Sequence, residues 1–244
     1  MGVLRTLAFM VLAPLLTAFL FVFCCLGLLL DPAGGRIGHA VSRFWARTIL
    51  FAAGARVRVT GAEKLAAGEA RVLVANHASY LDIPAMLTAF PGELRIVARR
   101  SLVWLPFVGW YIFLAGHFFL DRDNPRQALA LMAKATARMK RRGISPLIFP
   151  EGTRTRDGGL QPLKSGAFFL PLSAEVAVQP VAILGSHAIL PKGAWGPRRG
   201  GVIEIRVGDA IGTAGRGGAP ARKAQAAEVR PSLLALGLRE SGAV

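Results

Sequence analysis

The feature that most limits how this chain can fold is an uncharged apolar stretch near its start. From Thr6 to Leu30 no residue carries a charge. As a helix, this stretch would be about 37 Å long, enough to cross a hydrocarbon layer of about 30 Å. A cleaved signal peptide is the alternative, but its apolar core is usually about 7 to 15 residues long and ends at a small-residue site. We therefore predict a retained membrane segment, either a spanning helix or, because of Pro14, a kinked hairpin that enters one leaflet.

Positive charge follows the apolar stretch closely. Arg5 alone precedes it, whereas five arginines follow it within a short distance: Arg36, Arg43, Arg47, Arg56 and Arg58. Because the side of a membrane segment richer in Lys and Arg stays in the cytoplasm, we predict an inner-membrane location with the C-terminal body facing the cytoplasm. Both cysteines lie inside the apolar stretch, so the body has no cysteine for a disulfide framework or a metal site.

The overall charge predicts an anionic partner. Lys and Arg total 30 against 14 Asp and Glu, which gives a net charge of +16. Such a charge attracts either a phospholipid surface or nucleic acid. We find no reader motif and no aromatic stacking platform for nucleic acid, so we predict an anionic membrane as the partner and no nucleic acid. Residues 37–53 mix apolar and basic positions, which suits an interfacial helix and a helix packed on the body equally well.

The remaining chain alternates between short β-rich runs and helical stretches. This pattern predicts an α/β domain with a mainly parallel mixed sheet of about seven strands flanked by helices. We place strands at 56–60, 71–75, 94–98, 117–121, 146–149, 178–184 and 202–207, and helices near 81–90, 106–115, 124–142, 165–174 and 220–238. Residues 1–54 then form the anchor and interfacial helix, and 55–244 form one domain. The Gly- and Ala-rich residues 212–221 predict a flexible connection to a weakly held tail helix.

The first group of chemically active residues is the sequence NHASYLD at 76–82, between a predicted strand and a predicted helix. His77 would lie in the turn and Asp82 in the first turn of the helix, so the turn can bring the two side chains together. A carboxylate there accepts the imidazole N–H and leaves the second nitrogen to take a proton from a hydroxyl. The alternative is a turn histidine that bonds only to backbone.

The second group is the sequence FPEGTRT at 149–155, which also follows a predicted strand. Loops after strand ends form the binding crevice of an open α/β sheet, so the two groups can share one site. Gly152 allows close approach of a ligand to the backbone, Thr153 offers a hydroxyl, and Arg154 carries a guanidinium that matches phosphate oxygens. We expect Glu151 to orient these groups.

Together, NHxxxxD and FPEGTR resemble the glycerolipid acyltransferase family, whose best-known activity is the acylation of 1-acylglycerol-3-phosphate. GHFFLDR at 116–122 and VQPVAI at 178–183 are similar to two further blocks of that family, in the expected order. The resemblance covers about residues 70–210 and implies a glycerol-3-phosphate acyltransferase-like fold. Gln179 is a departure, because many members have a small or apolar residue there. We expect Gln179 to affect the acyl channel or the preference for the acceptor, if it has an effect, and not the class of reaction.

The resemblance implies an O-acyltransferase of phospholipid biosynthesis. It would move a fatty acyl group from acyl-CoA or acyl-carrier protein to the sn-2 hydroxyl of lysophosphatidic acid, with His77 and Asp82 as the catalytic pair. The expected acceptor-binding residues are Arg122, Glu151, Gly152, Thr153, Arg154 and Lys164. No cofactor is implied beyond the acyl donor, and neither metal-ligand spacing nor GxxxxGK[ST] occurs. The alternatives are an acyltransferase for another lysolipid, such as a lyso-ornithine lipid, and a non-catalytic basic protein of the membrane surface.

Overall fold

The chain begins with two long helices. A computed structural model describes residues 2–30, 36–65, 70–120, 134–139 and 141–242. Helix α1 is Gly2–Leu30 and helix α2 is Arg36–Ala52. Trp45 Nε1 donates to Thr17 Oγ1 at 3.0 Å, and Ile37 lies against Gly27, where an added Cβ would be 2.5 Å from its side chain. These two contacts show that α1 and α2 pack antiparallel as a hairpin.

The body is built on one seven-stranded sheet. Its strands are β1 Ala55–Thr60, β2 Val72–Ala75, β3 Leu94–Arg99, β4 Phe118–Leu120, β5 Ser145–Ile148, β6 Val178–Leu184 and β7 Gly201–Val207. The strand order is β1-β7-β6-β2-β5-β3-β4, and only the β6–β7 pairing is antiparallel. β1 and β7 therefore run opposite to the other five strands. All seven predicted strands are present, and the mainly parallel mixed sheet is confirmed.

Helices cover both faces of the sheet. They are α3 Asp82–Ala89, α4 Val108–Leu114, α5 Phe169–Ala174, α6 Ser186–Ile189 and α7 Gly218–Ala235. Residues 134–139 are also helical; most of the predicted helix 124–142 lies outside the described residues. On β2, Leu73 and Ala75 enter the core shared with α2 and α3, whereas Val72 and Val74 enter the core shared with α7. This alternation, the period of two of a strand, separates the two cores.

The last helix differs from its prediction. Gln225, Val229 and Leu233 of α7 are buried, the latter two in the core under the sheet. The apolar positions are four residues apart and so lie on one face of the helix. This narrow stripe packs the tail helix firmly on the domain, so the prediction of a weakly held helix was wrong.

The hairpin presents an apolar outer surface. Among the described residues, one helical segment, Phe9–Gly27 of α1, is long and apolar enough to cross a membrane, with a mean hydropathy of 2.6. One side of α1 packs on the body through Phe9, Ala13 and Leu16. Its other side leaves large apolar side chains exposed, as do Phe44 and Phe51 of α2. Helix α2 thus has a packed face and an exposed apolar face. The packing of residues 37–53 on the body is observed, and their position at a membrane interface stays a prediction.

Candidate active site

The two loops identified in the sequence meet at one edge of the sheet. β2 and β5 are parallel neighbours, with Leu73 beside Leu147 and Val74 beside Ile148. Their carboxyl ends therefore lie side by side, and the loops that follow them are in contact. The Thr155 amide donates to the His77 carbonyl at 2.8 Å, which joins the loops directly.

His77 and Asp82 form a hydrogen-bonded pair. His77 Nδ1 lies 2.9 Å from Asp82 Oδ2, and the Asp82 side chain is fully buried while that of His77 is 17% exposed. Because an ionised carboxylate only accepts, the ring proton of neutral His77 sits on Nδ1 and Nε2 carries a lone pair. Within the described part of the chain, Nε2 has no hydrogen-bond partner. The predicted contact is therefore present, with one imidazole nitrogen left to act as a base.

The conformation of the turn is fixed by hydrogen bonds to Asp82. Asp82 Oδ2 also accepts the backbone N–H groups of Ala78 at 2.7 Å and Ser79 at 2.8 Å. Asp82 is the first residue of α3, where a negative charge is favoured by the helix dipole. Before the turn, the Asn76 side chain bonds to both backbone groups of Ile183, at 2.9 and 2.7 Å. The turn thus starts from a fixed strand end and closes on a fixed carboxylate.

Phe149 and Glu151 support His77 from the second loop. The Phe149 ring stacks on the imidazole, with centroids 4.1 Å apart and planes at 19°. Glu151 Oε1 accepts the His77 backbone N–H at 2.6 Å, and Oε2 accepts the Gln161 N–H at 3.0 Å. Glu151 therefore links the histidine turn to both ends of its own loop.

The carboxyl group of Glu151 is a weaker acid than that of an ordinary glutamate. Burial raises the pKa of its carboxyl group from 4.5 to about 7, and the two backbone N–H donors offset part of that effect. A carboxyl group keeps acceptor capacity when it is protonated, so both N–H bonds can persist in either state. Glu151 therefore changes its charge in the neutral range while it links the two loops.

The loop after Glu151 places Arg154 against the turn that carries His77 and Asp82. Gly152 has φ of 76°, a backbone conformation that favours glycine, and its N–H donates to Phe149 O at 3.1 Å. Arg154 Cζ lies 3.3 Å from the centroid of the Tyr80 ring, so the guanidinium stacks on a residue of the histidine turn. Arg154 Nη1 is buried and has no hydrogen-bond partner among the described residues. An anionic oxygen would satisfy this donor.

Residues that the sequence analysis did not single out complete the site. Ser79 Oγ donates to Leu190 O at 2.7 Å, which ties the histidine turn to the segment after α6. From that segment, Lys192 Nζ donates to Thr153 Oγ1 at 3.1 Å and to Arg154 O at 2.8 Å. Lys192 thus lies against the predicted acceptor-binding loop. Its sequence context, LPKGAW, gives no local signal, because the contact depends on the path of a distant loop.

The far side of the same loop is held by the C-terminal segment. Asp157 accepts hydrogen bonds from Thr155 Oγ1, the Gly159 amide, Ser241 Oγ and the Gly242 amide, and these bonds lower the pKa of its carboxyl group. The Leu160 amide donates to Arg239 O at 2.8 Å. The Glu151 loop is therefore fixed between its own base and residues 239–242.

The other predicted site residues are placed as follows. Lys164 is exposed, and its backbone N–H donates to Pro150 O at 3.0 Å, so it lies at the base of the Glu151 loop. Arg122 lies outside the described residues. Gln179 lies at the amino end of β6, where its side chain bonds to Arg71 and the Gly208 carbonyl. It is thus at the opposite end of the strand from the site. No group of three or more His, Cys, Asp or Glu that could hold a metal ion occurs within the described ranges.

Comparison with known proteins assigns the family. The family model described as Acyltransferase matches residues 56–184, just over half of the chain. The chain belongs to this acyltransferase family. The family resemblance predicted from the motifs is confirmed, and the match contains both site loops but ends before α6 and Lys192.

Individual acyltransferases agree with this assignment. A chloroplast 1-acyl-sn-glycerol-3-phosphate acyltransferase of Arabidopsis thaliana is 30% identical over 83% of this chain and 57% of that protein. The human 1-acyl-sn-glycerol-3-phosphate acyltransferase alpha is 35% identical over 53% of this chain and 46% of that protein. The matched region thus spans about half the length of these curated relatives. The crystal structure of the 1-acyl-sn-glycerophosphate acyltransferase PlsC from Thermotoga maritima superposes with a TM-score of 0.78, at 26% identity and 98% coverage of both chains.

Proposed function

We propose that this acyltransferase moves a fatty acyl group from an acyl thioester to the sn-2 hydroxyl of 1-acylglycerol-3-phosphate, giving phosphatidic acid. The observation that carries the proposal is a single arrangement. The Asp82 carboxylate holds the His77 imidazole and leaves Nε2 available. Arg154 packs on the same turn, and its buried Nη1 has no hydrogen-bond partner among the described residues. A base and an anion-binding group in one crevice suit an acceptor that carries both a hydroxyl and a phosphate.

The chemistry requires no enzyme nucleophile. His77 Nε2 takes the proton of the acceptor hydroxyl while its oxygen attacks the thioester carbonyl carbon. The tetrahedral intermediate then collapses, the C–S bond breaks, and the imidazolium returns the proton to the leaving thiolate. The products are the new ester and the free thiol, and His77 is again neutral. Asp82 stabilises the imidazolium that exists between these two proton transfers.

Backbone amides of the Glu151 loop are the proposed oxyanion donors. The Gly152 amide already donates to Phe149 O. By contrast, the Thr153 and Arg154 amides have no acceptor among the described residues. Amides without an internal acceptor, held in a clasped loop, suit the negative charge that develops on the carbonyl oxygen.

Arg154 is the proposed anchor for the acceptor phosphate. Tyr80 fixes the guanidinium plane on the side of the histidine turn, so a bound phosphate would place the neighbouring hydroxyl near His77. Lys192 adds a second cation against the same loop. We extend the proposal to Lys164 and Arg122 as further phosphate contacts on the family resemblance alone.

The proposed setting is a phospholipid membrane. The outer surface of the α1–α2 hairpin is apolar, and the arginines that follow α1 favour a cytoplasmic catalytic domain over residues 55–244. A membrane-bound domain meets a lysophospholipid acceptor within the bilayer and an acyl-CoA or acyl-carrier protein donor from solution. Both donors are thioesters and would react in the same way.

Replacement of His77 tests the base. His77→Ala should lower acyl transfer by about 10² to 10⁴-fold, the usual contribution of a general base, with the protein still folded. His187→Ala is the matched control, because His187 is another partly exposed histidine of the same sheet edge, and its ring bonds to the Arg156 carbonyl. Initial rates with purified protein and each thioester donor give the comparison. A His77→Ala enzyme with most of its activity would refute the assignment.

A panel of acceptors tests the substrate. Lysophosphatidic acid should be preferred over monoacylglycerol, which lacks the phosphate, and over a lyso-ornithine lipid. Arg154→Ala should remove most of this preference, because it weakens the binding of lysophosphatidic acid and changes the rate with monoacylglycerol little. A wild-type enzyme that acylates the lyso-ornithine lipid best would replace the proposed acceptor. An absence of transfer to every acceptor would instead support a non-catalytic protein.

A further inference from the structure

The connection between β3 and β4 exposes an unusual number of large apolar side chains. It consists of a 3-10 turn, Arg100–Trp104, and helix α4. Trp104 is 84% exposed and Phe113 is 66% exposed. Four more side chains are between 37% and 48% exposed: Leu102, Leu105, Phe107 and Trp110. We call these six residues the aromatic patch. Monomeric soluble domains rarely expose contiguous apolar patches of this kind, so the patch indicates a partner.

The aromatic patch is continuous with the outer surface of the hairpin. Phe21 of α1 contacts Phe107 and Trp110, with ring centroids 6.1 and 5.7 Å apart. Its neighbours Phe19 and Phe23 on α1 are 57% and 46% exposed. The patch and the exposed side of α1 therefore form one apolar surface rather than two separate ones.

Helix α4 is fixed in this position from its inner side. Tyr111 is buried and its hydroxyl donates to Ser42 Oγ of α2 at 2.8 Å. An added Cβ on Gly38 would lie 3.1 Å from Ala115 Cα, so the two backbones are in close contact. The patch is thus a rigid extension of the hairpin, and whatever covers the exposed side of α1 reaches the patch as well.

The charge of the connection favours an anionic surface. Arg99 and Arg100 are exposed and directly precede the patch. From Leu94 to Leu120 the sequence contains no Asp or Glu. Exposed tryptophan beside arginine is typical of segments that lie at the headgroup level of a membrane, where the indole ring contacts both lipid and water.

We propose that the β3–β4 connection is a second membrane-contact element, which docks on an anionic phospholipid bilayer beside the α1–α2 hairpin, with Trp104 at the headgroup level. Three contacts then set the orientation of the body: α1, α2 and the patch. Because β3 ends at the same sheet edge as β2 and β5, this element holds the active-site edge close to the lipid surface. The inference concerns membrane docking and does not depend on acyl transfer.

The test uses a fluorescent probe at residue 104 of the full chain. Trp104→Cys is made in a background in which both native cysteines are alanine, labelled with an environment-sensitive fluorophore, and reconstituted in vesicles of phosphatidylcholine and phosphatidylglycerol. Ala227→Cys is the matched control, since Ala227 is exposed on α7, on the other face of the sheet. Two quenchers are compared, aqueous iodide and a nitroxide-labelled phospholipid. Thermal unfolding checks that both labelled proteins remain folded.

At residue 104 we expect several-fold stronger quenching by the nitroxide lipid than at residue 227, and several-fold weaker quenching by iodide. Equal behaviour of the two positions would overturn the proposal. A probe at 104 that is shielded from iodide but not quenched by the nitroxide lipid would also overturn it, because the patch would then be covered by protein, such as a second copy of the chain. Equal shielding in vesicles of phosphatidylcholine alone would refute the preference for an anionic surface.

Discussion

Replacing Asp82 by asparagine separates the charge of this residue from its hydrogen bonds. All three donors, His77 Nδ1 and the amides of Ala78 and Ser79, bond to the same oxygen, Oδ2. Oδ1 is buried and has no partner among the described residues. An amide oxygen at the Oδ2 position therefore keeps all three hydrogen bonds, and the amide NH₂ takes the place of Oδ1. We expect Asp82→Asn to keep the fold of the turn and the proton on Nδ1.

What this variant loses is the attraction between the carboxylate and the imidazolium. Two unit charges about 4 Å apart interact by about 4 kcal/mol at an effective dielectric constant of about 20. If this interaction exists only once His77 has taken the proton, kcat falls by about 10³-fold, because each 1.4 kcal/mol is about a factor of ten. KM for the acceptor should change little, since Asp82 does not touch the proposed phosphate site.

Steady-state kinetics with thermal unfolding measure both effects. Asp209→Asn is the matched control, since Asp209 is 89% exposed and pairs with Lys64 far from the site. The double variant His77→Ala, Asp82→Asn should be no slower than His77→Ala alone, because the charge acts only through the imidazole. An Asp82→Asn enzyme with unchanged kcat and a raised KM would refute the reasoning.

Three further predictions follow from the contacts around Glu151 and Arg154. Because burial raises the pKa of Glu151 from 4.5 to about 7, its contribution to stability is present below about pH 4.5 and is lost as the pH rises through about 7. Glu151→Gln removes this titration. Denaturant unfolding should therefore show that the free energy of unfolding of the variant, relative to wild type, rises by about 3 kcal/mol between about pH 4.5 and pH 8. A difference between the two proteins that does not change with pH would contradict the raised pKa. Lys192→Met removes donors to Thr153 and Arg154 and should raise KM for lysophosphatidic acid about tenfold with a smaller effect on kcat, whereas Lys192→Arg should keep most of the affinity; equal values for the two variants would show that a donor is not needed there. Tyr80→Leu removes the ring under the Arg154 guanidinium, worth about 0.5 to 1 kcal/mol, and should raise the same KM about two- to fivefold, while Tyr80→Phe should not; a similar effect of Phe would point to the hydroxyl instead.

The strands and the two site loops were predictable because their signals are local. The central strands are short apolar runs, whereas β1 and β7 alternate apolar and charged residues, and the period of two on β2 explains how it serves two cores. The contact of His77 with Asp82 was predictable for the same reason, since both residues belong to one turn. Their proposed catalytic roles remain predictions that the kinetic variants above test.

The partners of the site loops were not predictable, because they come from distant parts of the chain. Strand order sets which loops meet, and nothing local in LPKGAW or in the C-terminal residues states that they reach the Glu151 loop. The tail helix was underestimated for a related reason. Its composition is rich in Ala and poor in large apolar residues, and Val229 and Leu233 are its fully buried apolar residues, so the packing depends on the surface that receives it.

The clasp between Asp157 and the C-terminal segment has a consequence for the order of synthesis. The hairpin leaves the ribosome before the body, so in the proposed membrane setting the growing chain can reach a bilayer while its body is still incomplete. Residues 239–242 leave well after the loop that carries Arg154, and until then this loop lacks one of its two attachments. In that setting, a nascent chain reaches the bilayer before the loop proposed to bind the acceptor is held at both sides.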